Sequence, residues 1–174
     1  VEVDRVLETD PVDLWTSEFY AGVGVRLKKP LTEQRELLDP AVAEMLKDAL
    51  AQSSEAYYTQ VFRRYELRDK LRQFFEKFDL LLTPTLPHAA FDVGLNTPPQ
   101  LPDRNIVDWV YYTYPFNLTG QPAASIPAGW TASGLPVGLQ LVARSHQETD
   151  IFRAAAAFEA SQPWCQRRPP GCGA

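Results

Sequence analysis

Apolar positions recur at helical spacing in several stretches of the chain and run together or alternate in others. Val12, Trp15 and Phe19 follow Asp10-Pro11, a pair that reads as an N-cap and first helical residue, and Gly22 and Gly24 are expected to stop that helix. Residues 25–37 are basic then polar, the pattern of a loop. Asp39-Pro40 opens a firmer helix with Val42, Met45, Leu46, Ala49 and Leu50 on one stripe. Ser53-Ser54 interrupts it, and a longer helix is predicted from Glu55 to Phe78, with Glu66 and Lys70 in the favourable i, i+4 order. Leu80-Leu81-Leu82-Thr83, closed by Pro84, reads as a buried strand.

Residues 86–103 hold Pro87, Pro98, Pro99 and Pro102 with little periodicity and form a long loop. Asp103 then predicts a helix through Ile106, Val107, Val110, Tyr111 and Tyr114, ended by Pro115. Two strands follow, 123–127 and 137–143, the second alternating Val137, Leu139 and Leu141 with Gly138, Gln140 and Val142. Ser133-Gly134 marks the turn between them. Ser145-His146-Gln147-Glu148 has the form of a capping box, and Ile151, Phe152, Ala155 and Phe158 share one helical face before Pro163. The tail from Gln166 is expected to be mobile. The pattern as a whole is a mixed α/β chain with helices before, between and after three strands.

Composition adds bounds. The chain has 174 residues, 45% hydrophobic and 22% charged, an ordinary globular balance for one domain. A formal charge of −5 gives no electrostatic footprint for nucleic acid or for an anionic membrane, and no apolar run is long enough to span a bilayer. Met45 is the only methionine, so the chain is expected to be a processed or excised part of something longer. Cys165 and Cys172 read as free thiols, which suggests a reducing, cytoplasmic setting.

Self-contained chemistry is hard to find. No serine lies in a G-x-S-x-G elbow, and a Ser125–His88–Asp92 triad has no support from spacing. Cys165 and Cys172 lack a partner base and an ordered setting. No phosphate-binding glycine loop and no metal-ligand spacing is present, and pairs such as Glu33 with Glu36 or Glu66 with Asp69 suit a solvated surface.

The segments "NLTGQPAASIPAG" (117–129) and "GLPVGLQLVAR" (134–144), preceded by "FDLLLTPTLPHAAF" (78–91), resemble the C-terminal signature of the amidase signature family. The resemblance covers about residues 38–160 and, more loosely, 13–37. It implies a mixed β-sheet flanked by helices, of which this chain is only the C-terminal third. Within that single domain, 1–37 would be a peripheral helix and loop, 38–78 helices, 79–164 strands, pocket loop and helices, and 165–174 a tail.

The activity so implied is hydrolysis of a carboxamide by a Ser–cis-Ser–Lys triad, without metal or other cofactor. A Gly-Gly-Ser-Ser-Gly-Gly type segment, which carries that chemistry in the family, is absent here. Ser53-Ser54, between Gln52 and Glu55, has no flanking glycine and cannot supply it. No catalytic residue is therefore assigned in this chain. The implied partners are a small amide substrate and the missing N-terminal part of the same enzyme, and the isolated fragment is expected to self-associate. A non-catalytic module that keeps the fold, or a subunit of an aminoacyl-tRNA amidotransferase, are the alternatives. Transamidating relatives tend to carry an acidic residue at the position of Val110, which disfavours the last.

By the same resemblance, Trp109, Tyr112 and Thr113 are the candidate substrate-binding residues, with a purely core role as the equal alternative. Pro84, Asn117, Thr119, Gly120, Pro122 and Gln140 belong to the structural motif. Gly120 is expected at positive φ, Asn117 in a turn, and Gln140 in a structural hydrogen bond ahead of a substrate contact.

Overall fold

A computed structural model describes residues 1–164. Cys165, Cys172 and the tail lie outside the described residues.

The first helix, α1 (Val12–Arg26), starts with Pro11 rather than Asp10 at its cap and runs through both glycines. Gly24 has a packing role. A Cβ there would lie 2.9 Å from Leu50 Cγ, so the glycine lets α1 approach the next long helix closely. Residues 25–37, expected as loop, carry a short helix α2 (Lys28–Glu33) and a 3-10 turn (Arg35–Leu37). Pro30 sits in the first turn of α2, where a missing N–H costs nothing.

Helix α3 (Pro40–Ala51) begins as its sequence predicts. The Asp39 carboxylate accepts from the N–H of Ala41 at 2.8 Å. Ser53 caps α4 (Ser54–Phe74) by accepting from Ala56 N, so the serine pair starts a helix as well as ending one. This helix stops before Phe78, and the last residues of the predicted span turn toward the sheet.

The three strands are β1 (Leu80–Pro84), β2 (Ala123–Trp130) and β3 (Pro136–Ala143), in the order β1-β3-β2 with both pairings antiparallel. Strand β2 extends past Pro127 through an irregularity between Pro127 and Gly129. Strand β1 is an edge strand, not a fully buried one: Leu81 is buried but Leu82 is 55% exposed. Pro84 is its last residue, where a missing donor disrupts no ladder interior.

The region 103–113 is not a helix. The Asn105 side chain accepts from the N–H groups of Val107 (2.9 Å) and Asp108 (3.2 Å), and Asp108 accepts from Asn105 N. These local bonds give the backbone an alternative to helical pairing. Pro115 opens a helix here: α5 (Tyr114–Thr119) has it in the first turn. The final helix, α6 (Glu148–Ser161), has Gln147 at its cap without a side-chain bond, while Ser145 and His146 lie in the preceding turn, so no capping box forms.

The layers follow from the alternation along β3. Leu141 and Ala143 face α6 and pack with Ile151, Leu80, Ala124 and Ile126. Val142 faces the other way, into Leu71 and Phe75 of the α4 end and Phe116 of α5. A third apolar cluster joins α1, α3, α4 and α5 through Leu14, Trp15, Leu46, Leu67, Tyr114 and Leu118, so α1 contributes Leu14 and Trp15 to the core. The Trp15 and Tyr114 rings stack at 5.8 Å. The Tyr114 hydroxyl donates to Asp10, whose carboxylate also pairs with Arg104 at 2.6 Å. Asp10 thus ties the N-terminal segment to the start of α5.

Candidate active-site wall

The end of β1, the β2–β3 hairpin and the loop after Thr85 enclose a cleft of about 710 Å³. Its walls are mostly apolar, with Leu86, Pro87, Trp109, Ile126 and Val137 prominent. No Asp, Glu, Lys or Arg lines it. The loop folds back because Trp109 packs edge-on against Phe91, ring centroids 5.4 Å apart. The polar groups lie on the floor. Thr85 and Ser125, from the two outer strand segments, meet over the central strand with their hydroxyl oxygens 2.7 Å apart. Gly138 makes that meeting possible, since a Cβ there would lie 2.7 Å from Thr85 Oγ1 and 2.8 Å from Ser125 Oγ.

Next along the sheet, Gln140 stands opposite Thr83 on one side and Ser125 on the other. It is 4% exposed, and its amide donates to Thr83 Oγ1 at 2.9 Å and to the Tyr112 carbonyl at 2.8 Å. A buried amide needs such partners, and here they anchor the end of the 103–113 segment to the central strand. Thr113 Oγ1 donates to the Val110 carbonyl at 3.0 Å and precedes α5. Of the three predicted substrate-binding residues, Trp109 alone lines the cleft. Tyr112 is off the lining, its carbonyl held by Gln140, and Thr113 closes a turn. The Thr85–Ser125 pair gave no sequence signal, because its existence depends on strand register and on the gap at Gly138.

Of the structural-motif residues, Pro84 ends β1 and Gln140 sits on β3, while Asn117, Thr119, Gly120 and Pro122 lie in α5 or just after it. Gly120 has φ 77° and its N–H donates to the Phe116 carbonyl at 2.8 Å, a left-handed helix end that glycine adopts without strain. Thr119 is buried and donates to the Pro115 carbonyl at 2.8 Å. The Pro122 carbonyl accepts from Ala143 N at 3.1 Å. Asn117 is exposed on α5, with no side-chain hydrogen bond among the described residues. Thr119 also borders a second hollow of about 490 Å³, between α4 and Arg144, whose Arg72 is engaged by Asp69 and Glu76. Neither hollow contains a nucleophile held by a base. Ser125 bonds Thr85, and Nδ1 of His88 is engaged with the Ala89 carbonyl at 2.8 Å.

A family model described as Amidase matches residues 19–152. The chain belongs to the amidase family. Among curated amidase-family relatives, an acylamidase of Rhodococcus erythropolis is 38% identical over 110 residues, covering 61% of this chain and 23% of that protein. A glutamyl-tRNA(Gln) amidotransferase subunit of Streptococcus equi subsp. zooepidemicus is 43% identical over 122 residues, covering 67% of this chain and 24% of the relative. The matched segment therefore spans about a quarter of the relatives' length. The fold matches a 6-aminohexanoate cyclic dimer hydrolase with a TM-score of 0.79 and 25% identity, over 95% of this chain and 37% of that one. It also matches a bacterial aryl acylamidase of the amidase signature family with a TM-score of 0.78 and 26% identity, over 91% of this chain and 36% of that one. The amidase-family frame, helices around a small antiparallel sheet, is thus present here.

Among the described residues no helix is long and apolar enough to cross a membrane.

Proposed function

We propose that this chain forms the substrate-facing wall of an amidase, with the attacking serine, the bridging serine and the lysine contributed by a part of the enzyme outside the sequence given. The observation that carries this reading is the cleft itself: a Trp109-bearing hollow without Asp, Glu, Lys or Arg, whose Thr85 and Ser125 hydroxyls bond each other and whose His88 is engaged with the Ala89 carbonyl. Such a surface suits an apolar or aromatic amide held for attack from the opposite side. Catalysis in that arrangement is covalent, with the tetrahedral oxyanion held by backbone N–H groups of the missing part. The names of the acylamidase and the aryl acylamidase among the similar proteins support an acyl or aryl amide as substrate.

The amidotransferase relatives favour a second reading, a glutamine-using subunit. Val110 weighs against it. This side chain packs against the apolar cluster of α1, α3 and α5, and no carboxylate stands at its position to meet the polar end of a glutamine. A non-catalytic module keeping the fold is the remaining alternative.

A fluorophosphonate probe and a chromogenic anilide test the proposal on the 174-residue chain. Neither labelling nor hydrolysis is expected from the chain alone. Serine labelling with anilide turnover would show that a nucleophile is present after all. With the catalytic part supplied, anilide hydrolysis should appear and Trp109→Ala should raise KM; glutamine turnover in preference to anilide would favour the second reading.

A further inference from the structure

We propose that the Thr85–Ser125 hydroxyl pair, meeting across Gly138 on the cleft floor, hydrogen-bonds the carboxamide of a bound substrate while its apolar part lies against Trp109. This rests on the reading that the cleft is the substrate wall.

The argument begins with the hydrogen count. Two hydroxyls at 2.7 Å share one hydrogen between them. Whichever donates, the other keeps a free O–H, and both oxygens keep lone pairs. The floor therefore offers a donor and an acceptor side by side. A carboxamide has the complementary pair, a carbonyl acceptor and an N–H donor. The surroundings narrow the ligand further. With no Asp, Glu, Lys or Arg on the lining and Nδ1 of His88 engaged with the Ala89 carbonyl, the lining holds no salt-bridge partner ready for an ionic group. A neutral group with both hydrogen-bonding senses is what the site can satisfy.

Access is open. Ser125 is an exposed residue on an outer strand and Thr85 is half-buried just past the end of β1. Their backbones are fixed independently of the hydroxyl pair: Thr85 N donates to the Gly138 carbonyl at 3.0 Å, and Ser125 lies opposite Gln140 in the ladder. The hydroxyls are thus presented by a rigid sheet. Gly138 leaves room for both hydroxyls above the central strand, and a methyl group there would displace both oxygens. Nothing else in the sheet calls for glycine at this position, since β3 is extended through it.

The test compares two probes of similar shape, benzamide and isopropylbenzene, titrated into the 174-residue chain and followed through the Trp109 indole resonance. The parent chain is expected to bind both. Thr85→Val with Ser125→Ala should weaken benzamide about 5- to 10-fold, the loss of one or two neutral hydrogen bonds, and leave isopropylbenzene unchanged. Thr85→Ser keeps the hydroxyl and should bind benzamide like the parent. If the double variant does not fold, Ser125→Ala alone should weaken benzamide about 3-fold with isopropylbenzene unaffected. Benzamide affinity that survives loss of the hydroxyls overturns the proposal, as does a parallel loss for both probes, which is the mark of a structural role. Failure of the parent to bind either probe overturns the wall reading itself, and this proposal with it.

Discussion

The two halves of this chain bury their apolar residues differently. In the helical half, Leu46, Leu71 and Tyr114 are fully enclosed, and the ring stack of Trp15 on Tyr114 is sealed by the Asp10–Arg104 pair. In the sheet half, β3 is buried from Gln140 to Ala143 but exposed at Pro136 and Val137, both outer strands present free edges among the described residues, and Leu82 and Trp130 are exposed. The helical half leaves Phe19, Tyr58, Phe62 and Tyr65 exposed around an enclosed centre, while the sheet half is open at its strand edges. The curated relatives are about four times longer than the segment they match here. The cleft lined by Trp109, Thr85 and Ser125 lies on this open sheet half.

The largest expected effect concerns assembly. Free strand edges and exposed apolar side chains invite pairing, so the isolated chain should self-associate. Light scattering that gives a monodisperse monomer would break the contrast between the halves. A sharper comparison comes from two leucines. Leu71→Ala, at a site with no exposure, should cost about 2–5 kcal/mol in denaturant unfolding. Leu82→Ala, on the open edge, should fall within about 0.5 kcal/mol of the parent. Equal losses would mean that the sheet half is covered after all.

A smaller effect is expected at Tyr114→Phe. The phenol is buried, its pKa is pushed up by desolvation and then by the bond to Asp10, and it stays protonated as a donor. Removing the hydroxyl leaves Asp10 short of one partner, at a cost of about 1–3 kcal/mol by denaturant titration. The smallest effect is a pH slope. Burial raises the Glu18 carboxyl above its usual range, only partly offset by Arg64, which it meets at 2.7 Å. The folded state then holds the proton more tightly than the unfolded one. This contribution favours folding below the ordinary glutamate range and is lost as pH rises from there through the folded-state value. Glu18→Gln should flatten the dependence in that window, measured as the denaturation midpoint against pH. An unchanged slope would place its origin in other groups.

Much of the frame was legible along the chain. The Asp39 cap, the stripe of α3, the start of α4 near Ser53 and the alternation of β3 are local signals, and local signals survive folding when nothing nearby competes. The glycines of α1 misled for a definite reason: Gly24 serves contact with Leu50, which no local rule can see. The stretch 103–113 misled because Asn105 and Asp108 bond the backbone in place of a helical ladder, and Pro115 then begins α5 instead of ending a longer helix.

At the cleft, Trp109, a candidate from the sequence, is on the lining and Gln140 makes buried hydrogen bonds, but sequence reasoning had no means of finding the Thr85–Ser125 pair. Those hydroxyls are 40 residues apart and meet only because β1 and β2 flank β3 in one register over a glycine. The ordered motifs of the sequence by themselves determined the amidase resemblance, since capping, periodicity and turn chemistry act within a few residues. The tertiary structure alone decided which face is open, which strands are edges and which polar groups share a cleft, because those depend on register and on contacts between segments far apart along the chain.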